Sequence, residues 1–373
     1  MEVFARATAA GTQAYARRFP HLAADHFRAR YGLIMSSIGL SLAPQPDRAV
    51  AAQQYASVLS AAVAQGCNVL DLPGCTASSE MLDALGQAVE ALLAGGSREE
   101  LIFCSRGGLV AAPGSPPERV LARSQALRAS LRLDATAIAG GHCLEPTFLA
   151  RQLQEQLTRY RLDALDVFYL ESPELQQAFI EPLTFHQRLV QAFTWLEETV
   201  AQGRIRFYGV STGVGLLAPP QSRQHLFLPR LMDAAQAAGG PGHHFRFIQF
   251  PYNLGELDAV TEANQFFRGV REGREVRLRL PLLAAARQYA LVAMGCSGLM
   301  GGAVLGEIPE EVKRELGAQD TDAQFALYFN RSTPGLTTTL VHTVNPQHLE
   351  ENLAPARRPI LAPERFWALL QAS

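Results

Sequence analysis

Three charged residues follow short apolar runs in the first half of the chain, and their side chains could perform acid–base chemistry. Asp71 ends the run NVLD, Arg106 follows IFCS, and Glu171 follows VFYL. A carboxylate can exchange a proton near neutral pH when its surroundings shift its pKa, whereas a guanidinium stays protonated and can only bind or orient an anion. If the three side chains meet, the carboxylates are the candidates for proton transfer and Arg106 is their counter-ion.

The residues after Asp71 limit what it can do. The stretch NVLDLPGCT, residues 68–76, ends in a Pro-Gly break followed by Cys75 and Thr76. A threonine hydroxyl has a pKa too high to protonate a developing alkoxide at neutral pH, and losing a general acid lowers a rate by roughly 10²–10⁴-fold. No side chain in this stretch is therefore suited to donating a proton to a substrate.

These polar residues end apolar runs that indicate β-strands, and segments with helical spacing alternate with the runs. The strands are expected at Leu33–Ile38, Asn68–Asp71, Leu101–Ser105, Asp166–Leu170, Ile205–Val210, Phe245–Phe250, Leu291–Met294 and Thr337–Val341. The helices are expected at Ala51–Ala64, Ser79–Ala94, Thr147–Arg159, Gln187–Gln202, Leu282–Tyr289, Ala323–Arg331 and Pro363–Gln371. Strands that alternate with helices pair in parallel, so the pattern predicts an α/β fold of the (β/α)8 TIM barrel type.

A barrel of this kind gathers its chemistry at the C-terminal ends of the strands. The predicted strands end in polar residues, namely Asp71, Ser105-Arg106, Glu171, Ser211-Thr212, Gln249, Cys296-Ser297 and His342-Thr343. We therefore expect these side chains to surround one pocket.

We expect one barrel domain over residues 1–373, because no low-complexity tract or long linker divides the chain. Residues 1–30 are predicted to be a helical N-terminal extension. Two segments, 113–143 and 217–242, are longer than a barrel needs and are rich in Pro, Gly or Ala. Loops of that length usually act as lids or binding loops, so these βα-loop inserts predict a pocket larger than a simple aldehyde requires.

Composition excludes several classes of function. Hydrophobic residues make up 48% of the chain, charged residues 18%, and the formal net charge is −2. Without a basic cluster interleaved with aromatic residues, nucleic acid is not an expected partner. The sequence has no apolar run long enough to span a membrane and no apolar core of a secretory signal near its start, which predicts a cytoplasmic protein without membrane contact. A small-molecule substrate is the expected partner, and the oligomeric state cannot be read from the sequence.

Five cysteines at wide spacing favour reduced thiols over a disulfide framework or a CxxC metal site. Cys75, Cys143 and Cys296 are expected in loops on one face together with His142, which leaves a metal site conceivable. Zinc ligands normally come in closely spaced pairs, so no metal is predicted.

Five segments resemble the aldo/keto reductase superfamily in order and spacing. They are LDALDVFYLESPE (162–174), AFTWLEETVAQGRIRFYGVST (192–212), HHFRFIQFPYNL (243–254), STPGLTTTLV (332–341) and NPQHLEENLA (345–354). The resemblance implies a (β/α)8 barrel that holds NADPH, or less often NADH, across the strand ends and reduces a carbonyl group.

The resemblance also implies four catalytic positions: an aspartate after the second strand, a tyrosine acid five residues later, a lysine after the third strand and a histidine after the fourth. They correspond to Asp71, Thr76, Arg106 and Glu171, so three of the four differ and the tetrad is degenerate. Arg106 can hold Asp71 in a bidentate pair but has no tunable proton to share. Ordinary ketone reduction is therefore disfavoured.

Glu171 has two interpretations. Burial and Asp71 would raise its pKa and Arg106 would lower it, so a dominant effect of burial would make it a poised acid. Within the superfamily, glutamate at this position accompanies reduction of a conjugated C=C bond, although the tyrosine is retained there. Alternatively, Glu171 only forms a salt bridge with Arg106, since ion-pair networks also perturb pKa values without catalysis.

The resemblance assigns the cofactor contacts to further strand ends. Ser211, Thr212 and Gln249 correspond to the carboxamide contacts, and Cys296 takes the place of a tyrosine that often stacks on the nicotinamide. The glycine-rich turn Gly295–Gly302, with Ser297 and Leu299, could let backbone N–H groups approach a pyrophosphate.

The resemblance also assigns contacts at the adenosine end. The positions of the family's phosphate-binding residues are occupied by His342, Thr343 and His348. The family's residues near the adenine are matched by Glu351 and Asn352. Neutral histidines bind phosphate less well than lysine or arginine, so NADP(H) or NAD(H) binding is expected to be weakened.

Three functions remain open at this stage. The first is an NAD(P)H-dependent oxidoreductase acting on a carbonyl or enone without the usual tyrosine acid. The second is a non-redox isomerase, lyase or cyclase that uses Asp71, Arg106 and Glu171. The third is a non-catalytic binding scaffold, since a fold does not fix a function.

Overall fold

The computed structural model describes residues 4–42, 50–271 and 274–372, and eight parallel strands within it form a closed barrel. The strands, numbered β1 to β8 along the chain, are Ile38–Ser41, Val69–Asp71, Ile102–Gly107, Leu165–Glu171, Ile205–Ser211, Phe245–Pro251, Val292–Cys296 and Leu336–His342. Each strand pairs with the next one in the chain, and β8 pairs with β1 through Thr339 and Ile38. The predicted (β/α)8 TIM barrel is confirmed.

The helices of the described residues surround this barrel and flank its ends. The α-helices are Ala9–Arg17, Ala52–Ala64, Ser79–Ala94, Pro117–Leu131, Pro146–Tyr160, Glu174–Gln177, Pro182–Ala201, Leu228–Gly239, Asp258–Thr261, Leu282–Gln288, Glu310–Leu316, Asp322–Ser332, Pro346–Leu353 and Pro363–Ala372. Short 3₁₀ turns lie at Arg98–Glu100, Gly240–Gly242, Met300–Gly302 and Ala354–Arg357. No helix of the described residues is long and apolar enough to cross a membrane.

The first barrel strand was predicted wrongly. The apolar run Leu33–Ile38 is divided at Ser37: Leu33–Ser36 pairs antiparallel with Phe27–Arg30, and the barrel strand begins at Ile38. The side chains of Leu33 and Met35 pack into the barrel's interior cluster with Val69 and Ile102. Hydrophobic pattern alone does not distinguish the two strands, because both are buried and the bend between them is a single residue.

The extension and the inserts also differ from expectation. Residues 1–30 contain one helix, Ala9–Arg17, and a strand of the hairpin, and residues 1–3 lie outside the described part. Segment 113–143 contains the helix Pro117–Leu131 and a small hairpin, Ile138–Ala139 with His142–Cys143.

Segment 217–242 is largely the helix Leu228–Gly239, which packs on Pro182–Ala201, so most of it is not an added loop. The sequence analysis missed a two-stranded ribbon, Gln265–Arg271 with Arg274–Leu280.

The two-residue period of the strands decides which side chains enter the barrel. Val69, Ile102, Val167 and Phe247 belong to the apolar cluster inside the barrel. Side chains two residues apart point to the same face of a strand. The same alternation continues to the carboxyl ends of the strands, where polar side chains replace apolar ones. These side chains therefore point into the open end of the barrel, which we call the mouth; they belong to Asp71, Arg106, Glu171, Ser211, Gln249 and Cys296.

The opposite end of the barrel is tied to the N-terminal extension by one buried carboxylate. Asp166 accepts hydrogen bonds from the backbone N–H groups of Ala7 and Phe103, each at 2.8 Å. It also forms an ion pair of 2.8 Å with Arg98, whose side chain is only 9% exposed. The carboxylate therefore joins the chain start to β3 and β4.

We predict that Asp166→Ala lowers the free energy of unfolding by about 3–5 kcal/mol, because it leaves a buried guanidinium and two N–H groups without their acceptor. Urea denaturation followed by circular dichroism measures this. The matched control is Asp163→Ala, an exposed aspartate three residues earlier, for which less than about 0.5 kcal/mol is expected. Equal denaturation midpoints for the two variants would contradict the assignment.

Candidate active site at the carboxyl ends of the strands

A buried ion pair lies at the centre of the mouth. Arg106 Nη2 donates to Asp71 Oδ2, and the Asp71 side chain is 1% exposed while that of Arg106 is 17% exposed. The same carboxylate oxygen accepts from Ser41 Oγ at 3.2 Å. Burial alone would lower the pKa of Arg106, but the charges of Asp71 and Glu171 outweigh it and raise that pKa. The guanidinium is thus a permanent cation.

Two uncharged side chains extend this pair into a closed network. Arg106 Nη1 donates to Ser211 Oγ at 3.4 Å, and Ser211 Oγ donates to Gln249 Oε1 at 2.6 Å. Gln249 Nε2 in turn donates to Asp71 Oδ2 at 3.4 Å. The network fixes the orientation of the Gln249 amide, because its oxygen faces Ser211 and its nitrogen faces Asp71.

Glu171 stands apart from this network. Its side chain is half-buried, and no arginine, lysine or histidine nitrogen lies within 4.0 Å of its carboxylate among residues 4–42, 50–271 and 274–372. Burial raises the pKa of Glu171, with Arg106 opposing and Asp71 and Glu174 reinforcing the shift. Arg106 therefore forms its ion pair with Asp71 and acts on Glu171 only at longer range.

Gly74 packs tightly against β3 and leaves no room for a side chain. A Cβ atom at this glycine would lie 2.8 Å from the backbone oxygen of Arg106 and 3.4 Å from Glu171 Oε2. Any larger residue would therefore press on β3 and on the Glu171 carboxyl group. The Pro-Gly break after Asp71 brings the two chain segments close together across the mouth.

Cys75 and Thr76 follow in the same turn but contribute no acid. Cys75 Sγ donates to Gln152 O at 3.2 Å, and burial raises the pKa of its thiol to about 12. It therefore faces the helix Pro146–Tyr160 instead of the mouth. Thr76 is half-buried in the turn that precedes the helix Ser79–Ala94.

No tyrosine of the described residues hydrogen-bonds to the side chains of Asp71, Arg106 or Glu171. Tyr160 Oη donates to Pro73 O at 2.6 Å, and Tyr169 Oη donates to Met294 Sδ at 2.9 Å. Tyr252 accepts from Thr333 Oγ1 at 3.0 Å, and Tyr289 accepts from the Arg268 N–H at 2.8 Å.

Two glutamines behind β3 were missed by the sequence analysis. Gln152 accepts from Gly108 N at 2.7 Å and donates to Leu109 O at 3.0 Å. Gln156 Nε2 donates to Arg106 O at 2.7 Å. Both glutamines lie on the buried face of the helix Pro146–Tyr160, four residues apart. Two polar residues at this spacing among buried apolar ones are the sequence signal that could have revealed them. They hold the end of β3 and thereby place the guanidinium.

Glu174 was part of the LESPE motif but received no role from the sequence. Its Oε1 accepts from the N–H groups of Gly213, Val214 and Gly215 at 3.2, 3.4 and 3.3 Å. The side chain is 1% exposed, and burial raises its pKa while these N–H groups oppose the shift. It joins the loop after β5 to the loop after β4.

His142 reaches the mouth from the hairpin of the insert. Its ring is fully buried, and neither ring nitrogen has a hydrogen-bond partner among the described residues. The ring fills the space beside Gly108, where a Cβ would lie 2.5 Å from Nε2 and where φ is +120°. Burial, partly offset by the main chain of Glu171, lowers the pKa of His142 to about 3. The ring is therefore neutral at pH 7, and it packs behind the end of β4.

The predicted carboxamide contacts are partly engaged with each other. Ser211 and Gln249 meet as described, whereas Thr212 Oγ1 accepts from Leu216 N at 3.4 Å within its own loop. Cys296 is half-buried at the end of β7, and burial raises the pKa of its thiol to about 11.

The turn after Cys296 is held by two asparagines. Asn253 Nδ2 donates to Ser297 O at 3.2 Å, and Asn330 Nδ2 donates to Gly298 O at 2.9 Å. Ser297 has a φ of +57°, and Leu299 is half-buried against the core. Gly301 has a φ of +65° with open space on its side-chain position, so the backbone can be approached there.

The residues predicted for the adenosine end follow β8. His342 Nδ1 hydrogen-bonds to Ser41 O at 2.9 Å, and burial lowers its pKa. Thr343 Oγ1 accepts from Asn345 N at 3.0 Å, and Asn345 caps the helix Pro346–Leu353 by accepting from Gln347 N at 3.0 Å. On that helix His348 is exposed, Glu351 is half-buried and Asn352 is buried.

The thiols considered for a metal do not converge. Cys75 faces a helix, Cys143 belongs to the insert hairpin and Cys296 ends β7. The part of the chain that the structure describes contains no group of three or more His, Cys, Asp or Glu side chains able to hold a metal ion.

The aldo/keto reductase family model matches residues 37–216, which contain β1 to β5 and every charged residue of the mouth. The match supports a resemblance to the aldo/keto reductase family over just under half of the chain. No curated protein sequence compared with it matches.

Solved aldo/keto reductases share the fold at low sequence identity. One from Klebsiella pneumoniae in complex with NADP and acetate has a TM-score of 0.60 at 19% identity and covers 94% of this chain and 95% of its own. A second from that organism, in complex with NADPH, has a TM-score of 0.59 at 18% identity, with coverage of 91% and 92%. AKR11C1 from Bacillus halodurans, in its holo form, has a TM-score of 0.60 at 13% identity, with coverage of 93% and 96%.

We predict that His142 makes the stability of this protein depend on pH. An unfolded histidine protonates near pH 6.5, whereas folded His142 stays neutral down to about pH 3. Its contribution is therefore complete above pH 6.5 and is lost as the pH falls toward 3. Between pH 7.5 and 5, we expect the wild type to lose about 2 kcal/mol more of its free energy of unfolding than His142→Gln does.

Urea denaturation at the two pH values gives this difference. His26, whose pKa burial lowers to about 4, acts with the same sign in both proteins and cancels. The control is His348→Gln on an exposed histidine, which should keep the wild-type pH dependence. Parallel pH profiles for wild type and His142→Gln would refute the neutral, buried state of this ring.

Proposed function

We propose that this protein is an NAD(P)H-dependent oxidoreductase that reduces a carbonyl or enone small molecule, with Glu171 taking the place of the usual tyrosine acid. The observation that supports this most is the isolation of the Glu171 carboxyl group at the mouth. Asp71 is neutralised by Arg106, whereas Glu171 has no cation within 4.0 Å in the described structure and has a raised pKa. It is the acidic side chain best suited to release a proton near neutral pH.

The mouth fits the nicotinamide end of a dinucleotide. Gln249 and Ser211 present an amide and a hydroxyl on the interior face of β6 and β5, the groups that would hold a carboxamide. The turn at Gly301 offers backbone unobstructed by a Cβ, which suits a pyrophosphate. Two aldo/keto reductases from Klebsiella pneumoniae with the same fold are in complex with NADP or NADPH, which supports a dinucleotide as the ligand.

When bound, the dihydronicotinamide supplies a hydride. Arg106 and Asp71 would then form a neutral floor beneath the substrate, because their charges cancel within one hydrogen-bonded pair. Glu171, on the neighbouring strand, would donate the proton that completes the reduction of a conjugated C=C or C=O bond. Gln152, Gln156 and Glu174 hold the strand ends that fix these positions.

A second candidate follows from the adenosine end. The predicted phosphate contacts there are His342, with a lowered pKa, Thr343, already hydrogen-bonded to Asn345, and the exposed His348. These side chains are weak partners for a 2′-phosphate at neutral pH. If the dinucleotide does not bind, Asp71, Arg106 and Glu171 remain as the machinery of a non-redox isomerase, lyase or cyclase, or of a non-catalytic binding site.

We predict that the purified protein enhances the fluorescence of NADPH or NADH on titration, and that Gln249→Ala weakens this binding at least tenfold by removing the amide that would hold the carboxamide. The exposed Gln87 provides the control, because Gln87→Ala removes an amide far from the mouth and should bind as wild type does. Absence of binding at millimolar cofactor would reject the oxidoreductase and leave the second candidate.

We predict that Glu171→Gln lowers the rate of cyclic enone reduction by roughly 10²–10⁴-fold, because glutamine cannot donate the proton. The affinity for NADPH should stay within about twofold of the wild type. The wild-type rate should fall as the pH rises through the raised pKa of Glu171, since only the protonated carboxyl group is the acid. Undiminished turnover by Glu171→Gln would remove Glu171 from the mechanism.

A further inference from the structure

A cavity of about 330 Å³ lies between the helix Pro117–Leu131, which we call the insert helix, and the helix Pro146–Tyr160. Small-molecule sites usually have volumes of roughly 300–1,000 Å³, so this cavity is at the lower end of their range. An apolar cavity of about 150 Å³ already holds benzene. The space, which we call the insert cavity, is therefore large enough for one ring with a short polar group.

One wall of the insert cavity is apolar. Val110 and Phe148 are buried and belong to a small apolar cluster under the insert, and the half-buried Leu127 packs against the same cluster. All three side chains line the cavity. A ligand with an apolar body would remove this surface from water, which favours binding.

The turn after β2 forms another wall through Cys75. Its Sγ donates to Gln152 O at 3.2 Å and accepts from Gln156 Nε2 at 3.5 Å. Burial raises the pKa of this thiol to about 12, so it is protonated at neutral pH and is not a nucleophile. Cys75 therefore offers a ligand a contact surface without covalent chemistry.

Two arginines bring positive charge to the insert cavity, one from each helix. Arg123 lies on the insert helix, and its charge acts on the Cys75 thiol across the cavity. Arg151 lies on the facing helix, and its Nη1 donates to Ser130 Oγ of the insert helix at 3.4 Å. Both arginines are exposed as well as lining the cavity, so their guanidinium groups lie at its entrance.

The charges of the cavity lining do not balance. Its one carboxylate belongs to Glu155, whose Oε1 lies 3.3 Å from Nε of Arg159 in an ion pair outside the lining. Among the described residues, neither Arg123 nor Arg151 has a carboxylate oxygen within 4.0 Å. The entrance therefore has an excess of positive charge beside an apolar wall.

We propose that the insert cavity binds a small amphiphilic anion, an aryl or short-chain alkyl carboxylate. Its carboxylate pairs with Arg123 and Arg151, because a guanidinium group matches the geometry of a carboxylate. Its apolar body packs on the wall formed by Val110, Leu127 and Phe148. A neutral ligand of the same shape leaves the arginines without an anion, and a purely inorganic anion leaves the apolar wall in water.

The proposed site is separate from the mouth. Cys75 faces Gln152 on the helix Pro146–Tyr160, whereas Asp71 in the same turn faces Arg106 inside the barrel. Neither Glu171 nor a nicotinamide cofactor contributes to the insert cavity. The inference therefore does not rest on the proposed function, and each can fail without the other.

The first test is calorimetric titration of the purified full chain with three probes. Phenylacetate has both the ring and the charge, phenylacetamide has the same shape without the charge, and acetate has the charge without the ring. We expect phenylacetate to bind at millimolar concentration or below, and at least tenfold more tightly than either of the other two. Absence of phenylacetate binding at millimolar concentration, or an equal affinity for one of the other probes, would overturn the ligand class.

The second test locates the bound phenylacetate with variants of the lining. The double variant Arg123→Gln and Arg151→Gln should weaken phenylacetate binding at least tenfold, and its fold should be retained because both side chains are exposed. Circular dichroism checks the fold. Ala126→Phe, at an exposed lining position, should weaken binding to a similar extent by filling the cavity without removing a charge.

The matched control is Arg277→Gln, on an exposed arginine of the ribbon Gln265–Leu280, which should bind phenylacetate as the wild type does. Wild-type affinity in the double arginine variant would assign the anion to another place, such as Arg106 in the mouth, and would refute the site. Wild-type affinity in Ala126→Phe would refute it as well, because the probe would then lie outside the cavity.

Discussion

The buried pair of Asp71 and Arg106 is the interaction on which the mouth of the barrel depends. An aspartate with 1% exposure would be strongly destabilising without a cation, because its desolvation would be uncompensated. The guanidinium meets this requirement and also reaches Ser211, which in turn fixes the amide of Gln249. One ion pair therefore organises side chains from strands β2, β3, β5 and β6.

Arginine and lysine would have different consequences at position 106. A lysine ammonium can lower the pKa of a neighbouring phenol and can itself lose a proton when buried, whereas the guanidinium remains charged. Here the charges of Asp71 and Glu171 raise the pKa of Arg106 further despite burial. The ion pair thus keeps its charges and has a structural role. Any proton transfer at the mouth has to involve another group.

Much of this arrangement was predictable from the sequence because it depends on local patterns. Strand alternation and a period of two residues place Asp71, Arg106 and Glu171 on the interior face, and seven of the eight predicted strands overlap the observed ones closely. The same reasoning failed at Leu33–Ile38, where one apolar run contains two strands separated by a bend at Ser37. The ribbon after β6 was also not predicted, although Val276, Leu278 and Leu280 alternate with exposed arginines along its second strand.

The contacts that could not be predicted are those between segments distant in the chain. His142 reaches β3 and β4 only through the fold of the insert hairpin, and its role depends on the absence of a side chain at Gly108. Gln152 and Glu174 bind backbone N–H groups of other loops, which no spacing rule specifies. The choice between Asp71 and Glu171 as the partner of Arg106 likewise required coordinates, because both carboxylates were within plausible reach of the guanidinium.

The resemblance assigns three altered positions to one reaction centre, and the geometry gives a physical reason for them to change together. With Arg106 bound to Asp71, a phenol at position 76 would have no lysine to lower its pKa, so its value as an acid would be reduced. Glu171 lies on β4, which pairs directly with β3, and burial raises its pKa without help from a lysine. A carboxyl group at this strand end can therefore act independently of the residue at position 76, and once it does so the constraint on Thr76 is relaxed.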